Sequence, residues 1–267
     1  MKYLITILLF VLVSGCAEKS QKKIGKVQEL SELSFYVDDL DPIDTLCISE
    51  VERAKKDLKK GKTVFSHRAG LGFGNIRYED ELRALCRQIG LEFEIEPVGC
   101  VIYEGQTQGC YGEYMNKILL EKNGADFKDK IYEMADDLFI QNIINNNITV
   151  AYWDCDERPR LPNESKRTSD HLPSLYQSEI DVKDDGSNYG GYPFFDLGFV
   201  VEKDSTISNF HSRSYVAGND ANEKYKDKLY LLAKKHVMTN YPIWVPGELN
   251  GKQVRTNNNV RLFIVKK

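Results

Sequence analysis

The most apolar stretch of this 267-residue chain is residues 4–13, interrupted only by Thr6. A membrane-spanning helix needs about 20 such residues, so the run is far too short to cross a bilayer. Nothing after it approaches spanning length. The rest of the chain must therefore fold in water around a core of its own. With 42% hydrophobic residues, 15 tyrosines and 12 phenylalanines it has the means to do so. About 250 residues suffice for one large or two small domains.

The run has the length of a signal-peptide apolar region, preceded by the positive charge of Lys2. It ends in Val13-Ser14-Gly15-Cys16, which resembles the bacterial lipobox. The resemblance implies a signal peptide over 1–15, lipid on Cys16, and a polar tether from 16 to 47. Two or three acyl chains, at about 0.8 kcal/mol per buried methylene, anchor stably where one binds reversibly. The expectation is a cell-envelope protein held on the outer membrane and facing the periplasm, with Ala17 compatible with that sorting. The alternative is an ordinary cleaved signal with an incidental cysteine.

A net charge of −4 with both signs mixed gives no basic patch and argues against nucleic acid as a partner. Beyond Cys16 the cysteines are Cys47, Cys86, Cys100, Cys110 and Cys155. Export permits disulfides, and an odd count leaves at least one thiol unpaired within the chain. No CxxC spacing occurs and the 4 histidines are scattered, so no metal or cofactor is expected. Cys100 and Cys110 are the favoured bridge, across a glycine-containing turn; two buried free thiols fit equally well.

Along the chain the pattern predicts an α+β fold. Residues 48–60 read as a helix with Ser49 as cap, Glu52 at the capping-box offset and Gly61 as stop. Residues 77–89 carry Leu82, Leu85, Cys86 and Ile89 at helical spacing. Residues 91–98 alternate Leu91, Phe93 and Ile95 against Glu92, Glu94 and Glu96, a half-buried strand continuing towards Tyr103. Helices follow over 111–122 and 126–144, the second with Phe127, Ile131, Ala135 and Leu138 on one face. A strand covers 148–153. These elements make one domain, 48–153. Residues 154–193, rich in proline, serine, aspartate and glycine, read as a linker. In 194–267 a hairpin around 199–216 precedes a helix capped by Asp220, with Tyr225, Leu229, Ala233 and Val237 in one stripe. Pro246-Gly247 and Asn250-Gly251 are turn dipeptides, and a strand region spans 254–265.

Residues 194–267 resemble the C-terminal domain of TonB-type energy transducers, in the form common in Bacteroidetes. The segments that carry this are Phe-Val-Val-Glu-Lys-Asp at 199–204 with Ile207, and Trp244-Val-Pro246-Gly247-Glu-Leu-Asn250-Gly251-Lys-Gln-Val-Arg at 244–255. Ser205 departs from the glycine usual in the first hairpin turn, implying a wider turn. Residues 65–139 resemble, more distantly, the FEKKY domain of Bacteroidetes lipoproteins, through Ala69-Gly70-Leu71, Gly99-Cys100 and the helix from Tyr111.

The first resemblance implies a small antiparallel sheet that takes up an extended segment of an envelope protein, such as an outer-membrane transport receptor, as an added strand. Backbone hydrogen bonds supply affinity in that mode and alternate side chains supply selectivity. The candidate edge is Val260, Arg261, Leu262, Phe263 and Ile264; the competing reading makes this strand central. The transducer's uncleaved helix and proline-rich spacer are missing, since only 8 prolines occur and none form a run. Energy coupling is therefore not expected. An enzyme is the alternative, a hydrolase of envelope material using His67, Glu79 and Asp154. No catalytic signature surrounds these residues, and the 70–74 glycines match neither nucleotide-binding spacing.

Overall fold

Alternation along one short strand organises the first half of the molecule. The computed structural model describes residues 34, 36–70, 74–99, 101, 103–164, 175–184 and 191–267. Residues 1–15, expected to be a signal peptide, Cys16, residues 17–33, Cys100 and the middle of the glycine-rich loop lie outside the described residues. Strand β1 (Val64–Ala69) pairs in parallel with β2 (Glu92–Pro97). Period-two geometry sends successive side chains of β1 to opposite faces. Val64 meets helices α1 (Thr45–Lys59) and α3 (Cys110–Asn123), packing with Ala54, Tyr111 and Met115. Phe65 meets α2 (Glu79–Gln88) and α4 (Phe127–Asn146), packing with Leu82, Leu85, Cys86 and Ala135.

Several boundaries differ from expectation, each for a local reason. Asp44, not Ser49, caps α1 by accepting the Cys47 N–H at 3.0 Å, which starts the helix earlier. Ser34 and Val37 are already buried, so the tether does not extend to 47. Cys110 is bonded to Cys47, not Cys100: the first residue of α3 lies beside α1, with Cα atoms 5.3 Å apart. Helix α4 serves two cores: Ile131 and Ala135 face the first, whereas Ile140 and Ile143 join a second with Val150, Leu249 and Val254. That division leaves Leu138 exposed.

The second half is built on a sheet whose three long strands are antiparallel, as expected, with two short segments added in parallel. Strands β5 (Phe194–Val201) and β6 (Ile207–Val216) form an antiparallel hairpin. The last strand, β9 (Thr256–Lys266), lies antiparallel to β5 on its other side. Two short segments, β3 (Val150–Ala151) and β4 (Leu175–Ser178), then pair with β9 in parallel. Helix α5 (Lys226–Asn240) covers one face, burying Leu229, Ala233 and Val237 against Phe195, Leu197, Phe199, Val260, Leu262 and Ile264. Asn219, not Asp220, caps the 3-10 segment that leads into it. Trp244 fills the same core at 5.3 Å from the Phe199 ring, and its Nε1–H donates to the Tyr241 carbonyl.

A small hairpin of β7 (Gly247–Leu249) and β8 (Lys252–Val254) closes through Asn250 and Gly251, whose φ values of 48° and 73° suit a two-residue turn. Pro246 and Gly247 are buried at its base. The expected linker is woven into this half. Arg160 exchanges backbone hydrogen bonds with Val245, Glu157 bonds with Glu248, and Ile180 and Val182 enter the core. Sparse apolar residues suffice there because the backbone supplies the pairing. At the hairpin turn the Glu202 N–H reaches the Thr206 carbonyl at 2.8 Å, and Ser205 itself adopts φ 72°.

Candidate functional site

Strand addition requires a strand with one side unpaired, and among the described residues β9 offers this only over the short stretch 258–262. Residues 256–263 pair with β5, and on the opposite side 256–257 pair with β3 and 263–266 with β4. Of the expected edge 260–264, Phe263 and Ile264 are covered by β4, whereas 260–262 have no backbone partner on that side among the described residues. Val260, Leu262 and Ile264 are 2%, 0% and 0% exposed, because their shared face is the one α5 covers. Phe263 packs on Phe194 at 5.4 Å. Arg261 points to the other face, where its guanidinium donates to both Asp196 oxygens at 2.7 and 2.9 Å and lies 4.3 Å from the Phe194 ring.

The long strand at one end of the ladder is β6, the short β3 and β4 lying at the other. It pairs with β5 alone among the described residues. Two irregularities interrupt its register, one opposite Asp196 and Leu197 and one opposite Gly198 to Val200, where Asn209 adopts φ 50°. Such bulges bend an edge strand and limit long runs of pairing. Phe210 and Tyr215 fix β6 from within, at 5.4 Å from Phe199 and stacked 4.5 Å from Phe195. Asn209, His211, Ser212 and Arg213 are exposed. The His211 ring lies over Gly198, where a Cβ would come within 2.3 Å of it. Charged pairs knit this face of the sheet. Hydrogen bonds from Arg261 hold the Asp196 carboxyl below its ordinary range, and those from Arg255 do the same for Glu202.

The residues of the enzymatic alternative do not assemble. Nδ1 of His67 is 2.8 Å from the Tyr132 hydroxyl and Nε2 is 2.5 Å from the Gly74 carbonyl. That carbonyl can only accept, so Nε2 is the donor there. Glu79 accepts from Arg83 at 2.8 Å. The Asp154 carbonyl accepts from Arg77 at the rim of a 280 Å³ pocket. Among the described residues no hydrogen bond or ion pair joins any two of the three.

What the pattern missed is a polar cluster between β1, β2, α3 and α4. Glu96, expected on the solvent side of its strand, is 7% exposed. It accepts the Gly112 N–H at 3.1 Å and the Ser66 hydroxyl at 3.3 Å, and Glu50 accepts the Cys110 N–H at 2.7 Å. The two carboxylates thus serve the opening turn of α3, whose capping position, Gly109, has no side chain to do so. Burial pushes the Glu96 carboxyl above its ordinary range. Asn116 and Lys128 both donate to the Ser66 carbonyl, at 3.1 Å each. The Lys128 amine lies 5.0 Å from the Phe65 ring, and burial lowers its pKa to about 8. Helical spacing was the available signal, since Lys128 stands four residues before Tyr132 and seven before the buried Ala135. These groups satisfy one another, and among the described residues no set of metal-binding side chains gathers here or elsewhere.

Comparison of the chain with protein-family models, with curated proteins and with solved structures finds no match.

Proposed function

We propose that this is a lipid-anchored envelope protein that holds a protein partner by adding the partner's extended segment to the edge of its C-terminal sheet. The observation that carries the reading is β6, a ten-residue outer strand fixed from within by Phe210 and Tyr215 and paired along one side only among the described residues. Unpaired N–H and C=O groups on such an edge gain hydrogen bonds from an incoming strand. The bulges restrict pairing to short runs, which favours a brief segment over a long β-partner and guards against uncontrolled edge association. The TonB-like reading of 194–267 draws support from the order hairpin, helix, strand, with β5 between β6 and β9. It extends to binding alone. Among the described residues no helix is long and apolar enough to cross a membrane, and the proline-rich spacer of a transducer has no counterpart in the sequence.

The test is a photoreactive phenylalanine at Ser212, on the edge, and another at Lys252, on the separate small hairpin, in cells of the native host. The proposal expects one discrete protein adduct from position 212, none from 252, and its loss on Ser214→Pro in a chain that still folds. Identical adducts from both positions, or none from 212, overturn strand addition. Metabolic labelling with palmitate, lost on Cys16→Ala, tests the anchor separately.

A further inference from the structure

The outer face of α5 carries a second pattern. Leu229, Ala233 and Val237 are buried, so the opposite side of the helix is presented to solvent. On that side Lys228, Leu231, Lys235 and Met238 follow one another at offsets of three and four, a straight stripe along the helix. Lys224, one turn earlier, extends it. Leu231 is 63% and Met238 49% exposed, and they stand seven residues apart with a lysine between them. Lys234 flanks the stripe, with its amine 5.6 Å from the Phe210 ring; Lys226 lies towards the sheet, its amine 6.0 Å from the Tyr215 ring. The acids nearby are Asp227 in the first turn, Asp220 and Glu223 in the preceding 3-10 segment, and Glu179 and Asp181 across a pocket from Lys228. The last two are already paired with Lys267, Lys183 and Lys266, and the stripe itself, from 228 to 238, carries lysines and no acid.

We propose that this face rests on an anionic lipid surface. Long lysine side chains can lie along apolar surface and keep their amines at headgroup level, while leucine and methionine enter the acyl boundary. Clustered lysines on a helix face are drawn to anionic lipids, with a strength that falls off within a Debye length. Two apolar side chains and a few lysines make weak binding by themselves. They are enough to orient a body already tethered nearby, because tethering turns docking into an intramolecular event. The inference rests on the anchored reading only for that tethering. On a bilayer, α5 would turn towards the lipid and leave the sheet's polar face, with Arg213 and Arg261, directed away from it.

The test uses the chain from residue 16 onward with Cys16→Ala, so that it carries no lipid and failure of the anchor does not affect the result. Sedimentation is measured with vesicles of phosphatidylcholine alone and with about 30% phosphatidylglycerol at low salt. The expectation is binding to the anionic vesicles at least about tenfold tighter than to neutral ones, weakened on raising salt. It should fall about tenfold or more in Lys228→Glu/Lys235→Glu and clearly in Leu231→Ser/Met238→Ser. These positions are exposed, and circular dichroism verifies that the variants fold. Equal binding to both vesicle types, no binding to either, or unchanged binding by the lysine variant overturns the proposal. If vesicles fail while the lysine variant loses a cross-linked protein in cells, the face docks an acidic protein and the lipid assignment is wrong.

Discussion

The two halves of this protein differ in where they put charge: among the described residues the C-terminal one buries the neutral Ser178, Asn222 and Thr256, whereas the middle one buries the carboxylates of Asp44 and Glu96 as well. The C-terminal sheet buries hydrocarbon on one face and keeps its charges as pairs on the other, with Asp196–Arg261 and Glu202–Arg255 half in solvent. The middle unit places Glu96, Asn116 and Ser66 inside, next to a half-buried Lys128. Buried polar groups that are satisfied by one another cost little more than they return, but they add little net stability. The middle unit also carries the disulfide. The difference suggests that its polar interior is tolerated because covalent closure holds α1 to α3.

Reduction should give the largest effect. The bridge closes a loop of 63 residues, for which the chain-entropy estimate is about 4 kcal/mol. With Cys47→Ser/Cys110→Ser, amide exchange should accelerate strongly in β1 and α3 and much less in β5 and β9. Equal acceleration in both halves would break the comparison. It would mean that the cluster of Ile140, Ile143, Leu249 and Val254 couples them into one cooperative body.

Next in size is the contrast between neighbours on β9. Leu262 is 0% exposed, and Leu262→Ala should cost about 3 kcal/mol in denaturant unfolding. The Arg261 side chain is 51% exposed, and Arg261→Ala should cost less than about 1 kcal/mol despite its bidentate pairing. Similar losses for the two would mean that the outer polar face, not the apolar one, holds the sheet.

The third prediction concerns the polar interior directly. Because burial disfavours its cation, Lys128 titrates at about 8 instead of 10.5. Between those values the unfolded chain keeps a proton that the folded chain has released, so this residue makes stability rise with pH across that window. Below it the buried cation is a standing cost. Lys128→Met should therefore stabilise the protein at pH 7 by about 1 kcal/mol, and the gain should shrink towards pH 10.5. The Ser66 carbonyl keeps Asn116 as a donor in the variant. A destabilised variant at pH 7 would show that the amine is needed where it sits.

Much of this arrangement was legible from local pattern, and the exceptions share a cause. The helices over 77–89, 111–122 and 126–144 were readable because their periodicity repeats within a few turns, and Asn250-Gly251 because its turn chemistry is self-contained. The partners of β9 were not: β3 and β4 precede it by about a hundred residues, and parallel pairing needs no local signal. Cys47 met Cys110 for a similar reason, since only the packing of α1 on α3 brings them together. Glu96 was misassigned because alternation reports which residues share a face, not whether that face is covered. Here α3 covers it, with Gly112 leaving the space: a Cβ there would come within 2.1 Å of the Glu96 carboxylate.

The smallest predicted effect probes backbone strain at the tight turn between β5 and β6. Ser205 sits at φ 72°, a conformation in which a side chain crowds the backbone and glycine does not. The turn keeps it there by using both of its backbone groups: its N–H donates to Glu202 at 3.0 Å, and its carbonyl accepts from the N–H of Trp244 at 3.0 Å. The second bond ties the β5–β6 turn to the residue whose ring packs on Phe199, so the turn cannot relax without disturbing the core. Replacing serine by glycine removes the crowding, worth roughly 1 kcal/mol, and adds freedom to the unfolded chain, which offsets part of it. Ser205→Gly should therefore raise stability by about 0.5 kcal/mol, seen as a rise in Tm of a degree or two. Ser205→Ala, which keeps the crowding, should give no such rise. If glycine instead lowers Tm while alanine does not, the entropy of the unfolded chain outweighs the strain, and the turn is less strained than its φ suggests.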